Sequence, residues 1–198
     1  MPTVHGDAEG AGDEEREDRD IESGRAGLGG FGGGEHLIAE AQAFPNMGFI
    51  GCEPYVNGMA KILTQIEAQN IGNIRLFAGD AAELLAWAPP RSLTRIDLIH
   101  PDPWPRRRHW KRRFVQDATV AAMTRLLPPG SEFRFVSDID DYCAWTLAHL
   151  MRSPDFAWLA ERAIDWLEPW PNYTMTRYGA KAEREGRKAA YLRFRRLG

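Results

Sequence analysis

Gly29-Gly30-Phe31-Gly32-Gly33-Gly34-Glu35-His36-Leu37 is the stretch on which the reading of the fold turns. Glycine has no Cβ, so such a run lets the backbone take positive φ and approach a ligand closely. From Glu35 to Phe44 apolar residues recur at helical spacing, and Pro45-Asn46 ends the run. The pattern is a glycine-rich turn opening a helix. Phe49-Ile50-Gly51-Cys52 then reads as a short buried strand that ends at Glu53, which follows Gly34 by 19 residues. A carboxylate in that place accepts hydrogen bonds from ribose hydroxyls. Gly30, Gly32 and Gly34, with Glu53 and with Asp80 in Gly79-Asp80-Ala81, make up a candidate cofactor end of the nucleotide type. NAD and S-adenosylmethionine both carry a ribose diol and adenine, so this end alone does not choose between them.

Outward from that stretch, strands and helices alternate. Pro54 suits a first helical position, and Val56, Met59, Ala60, Leu63 and Ile66 make one helix face. The pattern predicts strands at 73–78, 96–99 and 132–137, and helices at 81–87, 114–127 and 140–151. It predicts a last strand at 191–195 and an irregular Trp-rich tract at 156–173. Alternation of this kind gives an α/β fold, a mostly parallel Rossmann-like sheet with helices on both faces. Ligands bind outside the carboxyl ends of such strands, so the loops after Gly29, Cys52, Ala78, Ile99 and Val136 are expected to converge.

Residues 1–30 hold nine acids and three arginines, a balance of −6, whereas 31–198 hold 19 acids and 22 bases, a balance of +3. The net charge of −3 therefore comes from the N-terminal segment, which reads as acidic and disordered over 1–28. The domain proper is expected at 29–198. No stretch has the roughly 18–20 apolar residues of a membrane span. The two cysteines, Cys52 and Cys143, are far apart, which disfavours a disulfide framework and suits a reducing cytoplasm. The five histidines show no ligand spacing, and no metal is expected.

The strand ending at Ile99 leads into His100-Pro101-Asp102-Pro103-Trp104-Pro105. Three prolines lock the backbone and withhold amide donors. A rigid aromatic at such a place can stack on a base, and a carboxylate can hydrogen-bond a base edge. Arg106-Arg107-Arg108-His109-Trp110-Lys111-Arg112-Arg113 follows at once, six permanent cations within eight residues, interrupted by an aromatic. Such interleaving suits contacts to RNA backbone and bases.

These motifs together resemble the tRNA (guanine-N7-)-methyltransferase family. The likeness is carried by residues 29–37, Phe49–Pro54, Asn73–Leu76 with Gly79–Ala81, and Pro101–Arg113. Further matches are Phe133–Tyr142, Thr176–Tyr178 and Arg184–Arg187. The resemblance implies S-adenosylmethionine as cofactor, tRNA as partner, and methylation of N7 of the variable-loop guanosine at position 46. Carried over by motif, Glu53, Asp80 and Asp102 are cofactor-site acids, and Asp102 is also the catalytic residue. Arg106 stands where the family usually has a substrate-contacting lysine, and Asp138 is a second substrate contact. Arg108, His109, Trp110, Lys111, Arg112 and Arg113 form the RNA-binding stretch. Thr176, Arg177, Tyr178 and Gly179 form the C-terminal substrate motif.

Three departures accompany the likeness. The family has an apolar first strand ending in glutamate, where this chain has Leu28 preceded by Ser23-Gly24-Arg25-Ala26-Gly27, so a central strand is expected to be missing. The family carries a basic segment before that strand, where this chain is acidic. Gly179 replaces the glutamate of the family's Thr-x-x-Glu. A catalytically impaired tRNA-binding relative and a methyltransferase of exocyclic base amines are the competing readings. An NAD oxidoreductase leaves residues 101–113 without a role.

Overall fold

The computed structural model describes the backbone of residues 26–30 and all of residues 34–198. Its centre is a seven-stranded sheet in the order β3-β2-β1-β4-β5-β7-β6. The first strand, β1, is Ala26–Gly30, and it pairs in parallel with β2 (Gly48–Cys52) on one side and β4 (Arg95–Ile99) on the other. β3 (Ile74–Phe77) lies beyond β2, and β5 (Glu132–Ser137) beyond β4, both parallel. β7 (Ala190–Arg196) runs antiparallel between β5 and the short edge strand β6 (Phe156–Trp158). The α/β class and the mostly parallel sheet are as the sequence pattern predicts.

The expectation of a missing central strand is overturned. Ala-Gly-Leu-Gly-Gly is poor strand material by composition, yet it fills the middle of the sheet. The reason lies in the neighbours. Parallel register sets Gly27 beside Phe49 and Arg95, and Gly29 beside Gly51 and Asp97. Residues two apart along a strand share a face, so β1 sends no side chain outward where Arg95 and Asp97 need room. The boundary expected at residue 28 also falls inside β1. The disorder expected for residues 1–25, and Gly32 of the candidate cofactor loop, lie outside the described residues.

Helices α1 (Glu35–Ala43), α2 (Val56–Ala68) and α3 (Ala81–Trp87) join β1 to β4 in βαβ fashion. Gly34 caps α1 at φ 88°, and a Cβ there would stand 3.1 Å from Ile62 of α2. A side chain at this position is thus disfavoured twice, by conformation and by space. α4 (Asp117–Leu126) begins later than the apolar periodicity suggests, because Gln116 and Thr119 close a capping box at its start. α5 (Asp140–Arg152) follows β5. The Trp-rich tract contains β6 and a short helix, α6 (Ile164–Leu167), and α7 (Arg177–Arg184) precedes β7.

The sheet buries two unlike faces. Ile96, Leu98, Phe133, Phe135, Leu192 and Phe194 pack with residues of α3, α4 and α5 in the main apolar core. On the opposite face, Arg95 binds Glu40 of α1 and donates from Nε to Asp97 at 2.9 Å. His36 Nε2 lies 3.5 Å from the same Asp97 oxygen. Burial opposes ionisation of Asp97, but His36 and Arg95 outweigh it and hold its pKa below the ordinary carboxylate value.

Candidate active site

The carboxyl ends of β1, β2, β3, β4 and β5 lie along one edge of the sheet, as parallel pairing requires. β1 and β4 flank the point where strand order reverses, which is where ligands settle in open α/β sheets.

Glu53 leaves the end of β2 with its backbone N–H bonded to Phe77 O, and its carboxylate is buried. Oε1 accepts from Tyr55 N–H at 3.1 Å. Gly58 makes the geometry possible, since a Cβ there would meet Glu53 Cγ at 2.8 Å. Asp80 caps α3, its Oδ1 accepting from Ala82 N–H at 2.8 Å. Burial and, after it, the Asp80 charge push the Cys52 thiol up to about 12, which places that carboxylate beside the end of β2. A buried carboxylate at the end of β2, an exposed one at the start of α3 and the positive-φ Gly34 fit an adenosine: acids to accept from ribose hydroxyls, and bare backbone for close approach.

Past β4, His100 and Trp104 adopt φ 47° and 43° and bracket the rigid Pro101–Pro103 segment. Positive φ at bulky residues costs on the order of 1–3 kcal/mol each and gathers at functional sites. Asp102 is exposed at the crest. His100 N–H keeps a bond to Val136 O, so the strand ladder runs up to the loop's first residue. Its Nδ1 lies 3.2 Å from Asp138 Oδ1, and Arg187 Nε donates to the other Asp138 oxygen at 2.6 Å. Burial works against the Asp138 charge, but Arg187 and His100 hold its pKa below the ordinary value. Burial lowers the His100 pKa despite Asp138, which favours the neutral ring.

Thr176 caps α7, its Oγ1 accepting from Gly179 N–H at 3.2 Å. That helix start brings Gly179 against His100: a Cβ at 179 would stand 3.1 Å from His100 Nε2 and 2.5 Å from Met175 Sδ. Met175 thus fills the space that a longer side chain at 179 would enter. Arg177 stacks on Tyr178 at 5.0 Å, and both are exposed.

The basic run forms a 3-10 helix over Arg107–Arg112. Arg106, Arg107, Arg108, Lys111 and Arg112 are exposed. His109 stacks on Trp104 with ring centroids 5.9 Å apart, and the Arg112 guanidinium lies 4.9 Å from the Trp104 ring. Arg113 corrects the expectation that the whole run faces RNA. It is 2% exposed, its Nε donates to Pro103 O at 2.9 Å, and Nη2 pairs with Asp141. The rings of Trp110, Tyr142 and Trp145 lie 5.0–5.1 Å from its guanidinium. Trp110 also turns inward, meeting Trp145 edge-on at 5.3 Å. Nothing in the spacing of the run separates these two from their exposed neighbours. His100 and Arg187, which hold Asp138, carry no spacing signal of their own, although Arg187 lies in a motif that carries the resemblance.

Among the described residues no group of three His, Cys, Asp or Glu is placed to hold a metal, and no helix is long and apolar enough to cross a membrane.

Solved methyltransferases share this architecture. An rRNA methylase from Streptococcus thermophilus matches with TM-score 0.59 over 89% of each chain at 9% identity. Sheet order and that likeness define a Rossmann-like methyltransferase fold. A family model described as "Putative methyltransferase" matches residues 29–192. The tRNA (guanine-N(7)-)-methyltransferase of Nitrobacter hamburgensis is 82% identical over 167 residues, 84% of this chain and 66% of that protein. The protein of the same name from Bradyrhizobium diazoefficiens is 80% identical over 84% of this chain and 71% of its own length. The chain belongs to the tRNA (guanine-N(7)-)-methyltransferase family. It spans about two thirds of the length of these relatives.

Proposed function

We propose that the chain transfers a methyl group from S-adenosylmethionine to N7 of a guanosine in tRNA, at variable-loop position 46 by family resemblance. The observation that carries this reading is Asp102, exposed on a proline-locked loop at the end of β4 and followed at once by exposed cations. Residues 29–198 act as the methyltransferase domain, joined by the start of β1, in a cytoplasmic enzyme.

When bound, S-adenosylmethionine supplies an electrophilic sulfonium methyl. Gly30, Gly32 and Gly34 give its approach path, and Glu53 and Asp80 hold the adenosine. Guanine N7 carries a lone pair and no proton, so the site needs no base; its work is orientation and charge stabilisation. Asp102 stabilises the positive charge that develops on the guanine. Asp138, held ionised by Arg187 and His100, accepts from the guanine N1–H or amine. Arg106, Arg108, His109, Lys111 and Arg112 meet the tRNA backbone, and Thr176 through Gly179 form the opposite wall.

The test is methyl transfer from labelled cofactor to unmodified tRNA, with nucleoside mass spectrometry of the product. 7-Methylguanosine is expected. An exocyclic N-methylguanosine would replace this reading with an amine methyltransferase, and tRNA binding without transfer would leave a binding relative. Asp102→Asn is expected to slow single-turnover transfer about 100-fold, the scale on which a preorganised charge contributes. An unaltered rate removes Asp102 from the chemistry.

A further inference from the structure

The last cation of the basic run differs in kind from the others. Salt-dependent affinity for nucleic acid comes from cations that displace counterions at phosphates, and these must reach solvent. Arg113 does not. Its side chain is fully enclosed, with three aromatic rings 5.0–5.1 Å from the guanidinium. Desolvated cation–π contacts of this kind hold a guanidinium firmly. Each surrounding group is itself fixed. Tyr142 Oη accepts from Phe114 N–H at 3.0 Å, and Trp145 Nε1 donates to Val115 O at 2.7 Å. Gln116 Nε2 donates to Trp110 O at 2.8 Å and to Arg113 O at 3.1 Å.

The guanidinium fork ties three elements together. Nε holds the carbonyl of Pro103, the residue after Asp102; Nη2 holds Asp141 in the first turn of α5. The backbone of Arg113 closes the 3-10 helix through Trp110 O at 3.0 Å. Burial pushes the Tyr142 phenol up to about 12; the Arg113 charge draws it down and the Asp102 charge raises it, so both fields reach one hydroxyl.

We infer that Arg113 is a positioning residue, which sets the Asp102 loop against the exposed cations by clasping the Pro103 carbonyl, and that it makes no contact with RNA phosphate. This rests on the proposed methyl transfer. A bound tRNA pulling on Arg107, Lys111 or Arg112 thereby registers directly on the loop that carries Asp102. Lysine cannot reproduce the clasp, because an ammonium lacks the planar fork that reaches Pro103 and Asp141 at once.

The experiment compares Arg113→Lys, Asp141→Ala and Lys111→Gln with the unaltered chain. It reads kcat, KM for tRNA, and the slope of log affinity against log salt. Arg113→Lys and Asp141→Ala are expected to lower kcat roughly 10- to 100-fold, the cost of a misplaced reacting group, with KM and salt slope unchanged. Lys111→Gln, at an exposed cation of the same run, is expected to reduce the slope by about 0.7–0.9, the loss of one phosphate contact. A reduced slope with retained kcat in Arg113→Lys would make Arg113 an RNA contact and overturn the inference. Unchanged kcat in both clasp variants would overturn it too. Should Arg113→Lys fail to fold, Asp141→Ala decides, since Asp141 is exposed and its loss loosens the clasp from outside. An unaltered chain that binds tRNA but transfers no methyl overturns the functional reading, and the positioning role with it; an active chain with insensitive clasp variants overturns the positioning role alone.

Discussion

At β4 and β5 the two faces of the central sheet are built from the same strands by opposite means. On one face, Ile96, Leu98, Phe133 and Phe135 alternate into an apolar core. On the other, Arg95 pairs with Asp97 and Glu132 with Arg134 along their own strands, and the clusters reach Glu40 of α1 and Arg193 of β7. The apolar face gains from area and is indifferent to direction. The ionic face depends on geometry, because each buried charge is costly unless its partner is in place. The difference teaches why a glycine-rich β1 is tolerated. The first face is apolar throughout, while the second joins an apolar cluster around Phe49, Ile62 and Ile74 to ion pairs that require space beside Arg95 and Asp97, which Gly27 and Gly29 provide by register.

The comparison breaks most sharply at Phe135, which is wholly buried. Phe135→Ala is expected to destabilise the protein by about 3–5 kcal/mol in urea denaturation, the usual range for an aromatic deletion in a core. A loss below about 1 kcal/mol would mean that the apolar face is not the cohesive one.

Arg95→Met is next. It leaves Glu40 and Asp97 buried without their cation, and about 3 kcal/mol is expected to be lost. Adding Glu40→Leu and Asp97→Leu is expected to return stability to within about 1 kcal/mol of the original, since replacing a whole buried ion cluster by apolar residues is commonly neutral or better. A triple variant as weak as the single one would show that the ionic face contributes cohesion rather than geometry.

The smallest effect concerns pH. The folded pKa of Asp97 lies below the unfolded value near 3.9. Its ionised form therefore contributes in full above that pH, and the contribution disappears as pH falls through the lower folded value. Asp97→Asn is expected to be less stable than the parent at pH 7, with the two curves converging below about pH 4. Parallel curves across that window would detach Asp97 from the acid response.

Much of the fold was legible in the sequence because its strands are apolar runs bounded by breakers. β2, β4 and β5 declare themselves in this way. β1 was hidden because its membership in the sheet comes from pairing with β2 and β4, not from its own composition. β6 has only three residues and exists through its pairing with β7. α7 was missed because charged residues dominate Arg177–Arg184, and its start depends on a Thr176 hydroxyl contact. At the site, the acids and the run of cations were plain. That Arg113 points inward was not, because Tyr142 and Trp145, which enclose it, come from a different helix.

The placement of β7 has a consequence for how the molecule is born. It is the last strand in the chain, yet it sits between β5 and β6. β6 is made earlier but has no sheet partner until β7 arrives. While the chain is being translated, the outer side of β5 stays open and Phe156–Trp158 waits unpaired, the type of edge that recruits other chains. Completion of the sheet must therefore await synthesis of Ala190–Arg196, and a ribosome stalled shortly before that point would hold a half-sheet prone to aggregation.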